Sequence, residues 1–337
     1  MSSVSSTPTG RAVTPGRSVG PPSGPPYGAS FGTLPVGPPR SSDLRGRRRP
    51  GELVARGLLA GAAMLSVVIT AGIVIALLVP ALTFFEQVPV LEFLTGTRWT
   101  PRFADASYGV LPLITATAWT ALVALAVAVP CGLGAAIYLS EYAPERLRRI
   151  LKPILELLAG VPTVVFGYFA LLWFTPFLQD LGLEVGPFSL LSAGMVMGVM
   201  IIPTIASVSE DAMSAVPNAL RQGSAALGAN RMQTSLRVVF PAAFSGVVAA
   251  VVLGISRAVG ETMIVTIAGG QMVQMVSNPL QQGATMTTFI ANAALGDSRV
   301  GSLEYNTLFV VGLLLFLLTL IVNLIAIELV RRFRQEY

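Results

Sequence analysis

Residues 241–270 read PAAFSGVVAAVVLGISRAVGETMIVTIAGG, an apolar run that carries two charged residues, Arg257 and Glu261. The run is long enough to cross the hydrocarbon core of a bilayer, which takes about 20 apolar residues. A charge near the bilayer centre costs roughly 2.5–3.5 kcal/mol on insertion scales. Because Arg257 and Glu261 are four residues apart, a continuous helix would place both on one face. We therefore predict a membrane-spanning helix that needs its charged pair.

The composition of the whole chain is that of a membrane protein. Its 337 residues are 53% hydrophobic and 12% charged, whereas soluble domains carry about 25% charged residues. The net charge of +5 does not indicate nucleic acid, because the arginines flank apolar runs. There is no histidine, and the single cysteine is Cys131. These counts exclude an intrachain disulfide and any histidine-based catalytic pair, and we expect no metal and no cofactor.

The sequence divides into a polar tail and an all-α polytopic membrane domain. Residues 1–50 are rich in Pro, Gly and Ser and are predicted to be disordered, because they lack apolar surface to bury. Residues 51–337 form the predicted transmembrane domain. Pro130 and Pro162 interrupt the second and third apolar runs and predict kinks there. The six predicted transmembrane helices lie at 54–80, 109–140, 148–177, 189–210, 241–271 and 305–330.

Basic residues are concentrated in alternate connections. They occur before the first span, in the 141–152 and 207–241 connections and after the last span, whereas the other connections have no excess of them. The positive-inside rule therefore places both termini and these two connections in the cytoplasm. Within the first connection, we expect Lys152 to pair with Glu156 one helical turn later.

The 207–241 connection has the pattern of two short helices joined by a turn. Pro217 is suited to a first helical turn, and Gly228 is suited to a left-handed residue that ends the helix. A second amphipathic stretch follows over about 230–240, and Pro241 begins the fifth span. Short amphipathic helices of this kind fit grooves on other proteins. We predict that this loop docks on a soluble partner.

The same loop resembles the EAA loop of ABC importer permeases. Gly228, nine further residues and then Val-Val-Phe-Pro241 reproduce the spacing of that motif, in which Glu-Ala-Ala lies upstream of the glycine. Here Gln222, Gly223 and Ser224 occupy the Glu-Ala-Ala positions, so the acidic residue is replaced by an amide. The resemblance implies a coupling helix that sits in a cleft of an ATPase subunit. The alternative is an ordinary interfacial loop.

Three further stretches resemble the phosphate-specific permeases of the PstC type. They are Arg257-Ala-Val-Gly-Glu-Thr-Met263, Tyr138-Leu-Ser-Glu-Tyr-Ala143 and Leu158-Ala-Gly-Val-Pro-Thr-Val-Val-Phe-Gly167. The resemblance covers about 55–335 and implies the type I ABC importer permease fold in a bacterial inner membrane. It implies four kinds of partner: a PstA-type permease, two PstB-type ATPases, a PstS-type phosphate-binding protein and phosphate as substrate. The chain has no G-x-x-x-x-G-K-[ST] loop for nucleotide, so we expect a permease that is not itself an enzyme.

We predict that Arg257 contacts phosphate, that Glu261 sets its position and that the Thr262 hydroxyl lies on the substrate path. A guanidinium stays charged in a low-dielectric site and offers forked donors to an oxyanion. The alternative for the charged residues is a structural ion pair that braces helix packing. Three other functions remain open at this point: a permease for molybdate or sulfate, an autonomous anion transporter or channel, and a membrane scaffold or sensor.

Overall fold

The computed structural model describes residues 50–103 and 105–333, so the predicted disorder of the tail before Pro50 lies outside the described residues. The described chain is helical, and its one pairing of extended backbone is a bridge between Trp99 and Tyr108. The α-helices are α1 Pro50–Phe85, α2 Val90–Thr95, α3 Leu111–Ile137, α4 Glu145–Ala159, α5 Thr163–Phe169, α6 Thr175–Asp180, α7 Leu190–Ser214, α8 Asn218–Ala226, α9 Arg231–Thr234, α10 Phe240–Ala242, α11 Phe244–Gly260, α12 Met286–Ala294 and α13 Leu303–Phe333.

The apolar helices agree with the predicted spans in number and order. Four helices of the described chain are long and apolar enough to cross a membrane, namely those over Val54–Phe85, Leu111–Tyr142, Leu190–Ser214 and Leu303–Arg332. Two bent helix pairs bring the number to six when each pair counts as one span. The all-α polytopic fold predicted from the sequence is therefore confirmed.

The third predicted span, 148–177, is not one straight helix. α4 ends at Ala159, and the helix that resumes at Thr163 is bent away from it by 86°. Pro162 lies between the two helices and provides no N–H for a continuous hydrogen-bond ladder. α4 also carries six charged residues, Glu145, Arg146, Arg148, Arg149, Lys152 and Glu156. This density of charge is incompatible with hydrocarbon, so the part of this segment that can span begins after the bend.

The fifth predicted span, 241–271, is also interrupted. The helical segment over Arg231–Ala242 is bent by 74° from α11. α11 then ends at Gly260, and Glu261 has an extended backbone with φ −69° and ψ 129°. A further π-helical turn covers Val265–Gly269. The continuous helix that would have aligned Arg257 with Glu261 is therefore broken between them.

α7 is the central helix of the bundle, with α3 and α11 against it. Small residues allow this close approach: a Cβ atom on Gly198 would lie 2.7 Å from the carbonyl oxygen of Ala124. Buried Met197, Met200 and Ile201 of α7 belong to the core cluster of these helices. The contacts between residues divide the chain into two compact units, with the boundary between Ala62 and Ala63. The helices that pack around α7 belong to the second unit, within 63–333. We call the end of the bundle where α7 meets α8 the loop face.

Candidate functional site

Arg257 projects from the last turn of α11 toward α7 and α4. Its Nη1 donates to the Thr204 hydroxyl at 2.9 Å, and its Nη2 lies 3.5 Å from the Ala159 carbonyl oxygen. The side chain is half-buried. Both partners are neutral, and no carboxylate lies within ion-pair distance of this guanidinium in the part of the chain that the structure describes. The positive charge is therefore held in place without being neutralised.

Glu261 lies beyond the end of α11 and does not form the expected pair with Arg257. Its Oε1 accepts the backbone N–H groups of Met263 at 2.9 Å and Ile264 at 3.2 Å. Its carbonyl oxygen accepts the Thr287 hydroxyl at 2.8 Å. The carboxylate thus caps the helical turn after the break, as an acidic side chain does at a helix N-terminus. A structural ion pair that braces helix packing is therefore absent between these two described residues.

Thr262 lies at the same break and is half-buried. Its hydroxyl donates to the Gly260 carbonyl at 3.4 Å, a long bond. Its carbonyl oxygen accepts the Thr266 hydroxyl at 2.7 Å. The three predicted substrate-path residues therefore lie at or next to one helix break, and Arg257 among them contacts Thr204. No sequence pattern distinguishes Thr204 from the other hydroxyls in apolar helices, so it was missed.

The loop after α7 folds as two short helices, as its sequence indicates. α8 covers Asn218–Ala226, and Gly228 follows with φ +82°, a left-handed conformation that glycine adopts without strain. Asn230 and Gln233 then form a reciprocal capping box at the start of α9. The Ser224 and Thr234 hydroxyls, 2.9 Å apart and buried, fasten α8 to α9. Pro241 lies in the first turn of α10, immediately before the 74° bend.

The outer side of this loop exposes amide and apolar groups. Gln222 and Gly223 are exposed, and a Cβ atom on Gly223 would meet nothing within 4 Å. Leu227 is 91% exposed, Met232 62% and Leu236 45%. Exposed apolar side chains on a polar loop are typical of contact surfaces. Of the five loop residues singled out from the sequence, Ser224 faces inward, whereas Gln222 and Gly223 face outward.

Arg221 connects the loop to two long helices, a role that no pattern in the sequence indicates. Its Nη2 donates to Glu141 Oε1 at 2.8 Å and to the Met213 carbonyl at 2.8 Å. Its Nη1 donates to the Val216 carbonyl at 2.6 Å. Glu141 lies in the π-helical turn Tyr138–Tyr142 that follows α3, and Met213 lies in the last turn of α7. One guanidinium therefore joins α8 to the ends of α3 and α7.

A second charged cluster lies beside this joint. Glu210 of α7 is 1% exposed and accepts from Lys152 Nζ at 2.9 Å, from the Ser214 hydroxyl at 2.9 Å and from Arg148. Lys152 also donates to Asp211, so its expected pairing with Glu156 is wrong. The bonds to Asp211 and then Glu210 raise the pKa of Lys152 above its ordinary value. Lys152 therefore remains charged across the physiological range, and the cluster fastens α4 to α7.

A cavity of about 490 Å³ opens between these charged groups on the loop face. Arg148, Arg221 and Arg231 line it together with Glu141 and several hydroxyl and amide side chains. Two of these arginines are paired with carboxylates, at Glu210 and Glu141 respectively. Polar contacts around this cavity therefore hold the loop to the bundle, alongside the apolar cluster that includes Val216 and Val239.

Solved structures with the same fold are importer permeases. A bacterial alginate ABC transporter, solved with an alginate pentasaccharide-bound periplasmic protein, has a chain that matches at a TM-score of 0.56 with 16% identity. The match covers 83% of this chain and 96% of that one. An inward-facing MetNI methionine ABC transporter matches at a TM-score of 0.50 with 21% identity, over 67% of this chain and 95% of that one. The fold is that of type I ABC importer permeases.

The chain belongs to the family described as binding-protein-dependent transport system inner membrane component, whose profile matches residues 128–335. It is 38% identical to the probable ABC transporter permease protein YqgH of Bacillus subtilis, over 82% of this chain and 89% of that protein. It is 35% identical to the phosphate transport system permease protein PstC 1 of Mycobacterium tuberculosis, over 72% and 82% respectively. For PstC of Mesorhizobium japonicum the identity is 33%, over 79% and 85%. The protein is a multi-pass inner-membrane permease subunit of an ABC importer.

Proposed function

We propose that this permease subunit carries inorganic phosphate into the cell, with ATP hydrolysis supplied by a partner. Relatives named as phosphate transport permeases match most of the chain. The Arg257-to-Met263 stretch, by which the sequence resembles that group, coincides with the helix break at Glu261. Two independent features, resemblance and local geometry, therefore point to the same residues.

The proposal rests on the burial and the hydrogen-bond partners of Arg257. Its guanidinium is half-buried between α4, α7 and α11, oriented by neutral oxygens and unneutralised by any described carboxylate. Keeping an unpaired charge half-buried in a membrane-spanning helix is costly unless it meets an anion or water. Its forked donors match a tetrahedral oxyanion. Neutral partners that hold it weakly leave it free to bind the anion and to release it again.

Glu261 and Thr262 have supporting roles in this proposal. Glu261 holds the backbone of the break open by capping the turn at Met263, and it presents negative charge next to the path. Negative charge there lowers the affinity for an anion, which favours release. Thr262 has only a long hydroxyl bond to Gly260, so its hydroxyl is available to a passing oxyanion. Arg257 is the binding group, and Glu261 shapes its surroundings.

The loop at 207–241 is the proposed coupling element, and the loop face is the proposed cytoplasmic side. The loop exposes Gln222, Leu227 and Met232, and these side chains are suited to insertion into a cleft of an ATPase subunit. Ser224, Gly228 and Pro241 build the helix–turn–helix that presents them. A PstA-type permease would complete the path, two PstB-type ATPases would bind the loops, and a PstS-type protein would deliver phosphate from outside. Both termini are then cytoplasmic.

Phosphate uptake by membranes that hold the assembled importer tests the role of Arg257. Losing a hydrogen bond to a charged group costs about 2 kcal/mol, so Arg257→Gln should lower uptake about 30-fold. Arg257→Lys keeps the charge without the fork and should retain intermediate activity. The matched control is Ser256→Ala. It changes the neighbouring residue of α11 and removes a hydrogen bond from Ser256 to Asn323. Full uptake in Arg257→Gln, Arg257→Lys and Glu261→Gln would remove these residues from the path.

Three measurements separate the alternative functions. Binding of molybdate or sulfate in preference to phosphate by the cognate outer receptor would indicate another oxyanion. Anion movement by the purified chain alone in liposomes would indicate an autonomous transporter or channel. Intact uptake with an altered phosphate-dependent gene response in the Arg257 and Glu261 variants would indicate a sensor.

A further inference from the structure

We infer that Arg221 and Glu141 form the mechanical joint through which the loop moves the transport helices. The inference rests on the proposed coupling role of the loop. It assigns to Arg221 a positioning role: this side chain lies inside the loop, away from its exposed outer surface, and acts through the helices that it joins. Neither the loop motif nor the membrane charge pattern points to this residue.

The bonding of Arg221 carries the inference. Its Nε, Nη1 and Nη2 all donate, and the acceptors lie on two stretches of chain: Glu141 in the turn after α3, and residues 213–218, which join the end of α7 to the start of α8. The Arg221 and Glu141 side chains are 20% and 9% exposed, so water competes weakly for these bonds. The Met213 carbonyl lies in the last turn of α7 and the Val216 carbonyl two residues beyond its end, where intrahelical donors run out. A guanidinium there satisfies them and complements the helix dipole.

Rigid elements lead from this joint to the proposed phosphate contact. Buried Val239, Met213 and Ala136 pack the loop side of the bundle into one cluster. Farther along α7, Thr204 accepts the bond from Arg257. A pull on α8 is therefore transmitted by Arg221 to the ends of α3 and α7, and α7 carries it to Arg257. Each step is a hydrogen bond or a packed helix within 63–333.

The loop also packs against the bundle through Val216, Val239 and partly buried Leu220, so the polar joint acts together with apolar contacts. α8 has one buried residue, Ser224, and that residue bonds to α9 within the loop. The neighbouring cavity of about 490 Å³ is lined by residues of α8 and of the helix ends that Arg221 joins. A charge-assisted bond between Arg221 and Glu141 adds a fixed direction to this packing. Arg221 is thus the directional link that carries movement of α8 to the turn after α3 and to the end of α7.

The test compares transport with ATP hydrolysis in the intact importer, purified through a tag on this chain and placed in liposomes. Arg221→Gln and Glu141→Gln should still co-purify with the ATPase, because the exposed docking surface is unchanged. Phosphate moved per ATP hydrolysed should fall about ten-fold, within the range for changes along a coupling network. Stimulation of hydrolysis by the loaded outer binding protein should be lost, and basal hydrolysis should remain.

Arg149→Gln is the matched control. Arg149 also forms an Arg–Glu bond of 2.8 Å, to Glu145, but this bond lies within one helix and joins no separate elements. The number of phosphates moved per ATP should stay unchanged in this variant. Arg221→Lys keeps the charge beside Glu141 but cannot reach three acceptor groups at once. Arg221→Lys should give an intermediate ratio of phosphate moved to ATP hydrolysed. If the Gln variants do not accumulate in the membrane, this variant alone tests the inference.

The inference fails if Arg221→Gln or Arg221→Lys keeps the wild-type ratio and stimulation, or if the ATPase no longer co-purifies with them. Its failure is distinguishable from that of the phosphate assignment. If the wild-type importer moves no phosphate but its binding-protein stimulation disappears in the Arg221 variants, the joint stands and the substrate is another anion. If phosphate moves with an unchanged ratio in the variants, the substrate stands and the joint is wrong.

Discussion

Charged side chains in this protein fall into two groups according to their partners. Glu210 is nearly fully buried and receives three donors, from Arg148, Lys152 and Ser214. Arg257 is half-buried and has only neutral partners. Burying a charge is tolerated when hydrogen bonds and opposite charge compensate it. The first arrangement compensates the buried charge, whereas the second leaves a charge with no opposite partner among the described residues.

Replacing Glu210 separates these roles. In Glu210→Gln, Arg148 and Lys152 lose their common acceptor, although their side chains are 36% and 28% exposed and recover some hydration. We expect the free energy of unfolding to fall by about 2 kcal/mol, the size of a hydrogen bond to a charged group. Denaturant unfolding of the detergent-solubilised chain measures this change.

The comparison variant is Glu145→Gln, which breaks an exposed bond to Arg149 within α4. Both side chains are at least 75% exposed, and exposed pairs contribute about 0–1 kcal/mol. Its unfolding curve should overlay that of the wild type. Equal losses in the two variants would show that the burial of Glu210 has no energetic consequence.

The pH dependence of stability gives a further test of this cluster. Because the pKa of Lys152 is raised, the contribution of Lys152 to the free energy of unfolding is complete below its ordinary pKa of 10.5 and is lost only above it. Stability near neutral pH should not depend on Lys152 titration.

At the level of helices, close packing depends on glycines at particular positions. Gly194 and Gly198 of α7 face α3, where a Cβ atom would meet Val123 Cβ at 2.8 Å and the Ala124 carbonyl oxygen at 2.7 Å respectively. Close approach of helix backbones replaces the hydrophobic effect as the source of association inside a bilayer. Gly134 of α3, in contrast, has nothing within 4 Å of an added Cβ atom.

Alanine substitutions test this packing. An added methyl group at Gly198 forces α3 and α7 apart, and such overpacking costs about 1–3 kcal/mol. Gly134→Ala should instead be neutral or stabilising by up to about 1 kcal/mol, because alanine is the better helix former. Thermal unfolding in detergent should therefore place Gly198→Ala below the wild type and Gly134→Ala at or above it. The opposite order would contradict the tight contact.

For the whole molecule, burial varies strongly from helix to helix. In the most apolar window of α7, 61% of residues are buried, whereas in that of α1 none is. Exposed apolar faces in a bilayer contact lipid or another helix. The apolar surface of α1 is therefore available to lipid or to another helix, whereas α7 is covered by its own chain.

The predicted orientation of the bundle rests on the distribution of basic residues and can be measured directly. Cys131 is the only cysteine, so Cys131→Ser provides a background for single-site labelling. Gly223→Cys on the loop should react with an impermeant maleimide only in inside-out vesicles. Leu295→Cys, at an exposed position in the connection to α13, should react only in right-side-out vesicles. The reversed pattern would overturn the proposed cytoplasmic position of the loop.

Local sequence determined the features that depend on neighbouring residues. Apolar length set the spans, and Gly228 with the downstream Asn230 and Gln233 set the helix–turn–helix. The stretch that carries Arg257, Glu261 and Thr262 identified the family resemblance. These features follow from hydropathy, from backbone conformation and from short-range capping. Each acts over a few residues, so the order of residues along the chain contains enough information.

Tertiary structure decided which charges meet. Glu261 is four residues from Arg257, yet it caps Met263 instead, because α11 ends at Gly260. Lys152 is four residues from Glu156 but bonds to Glu210 and Asp211. Arg221 finds Glu141 across a separation of 80 residues. A pair within a helix competes with every acceptor that folding brings near, and a buried carboxylate holds its donors more strongly than an exposed one. That competition is settled only when the helices pack.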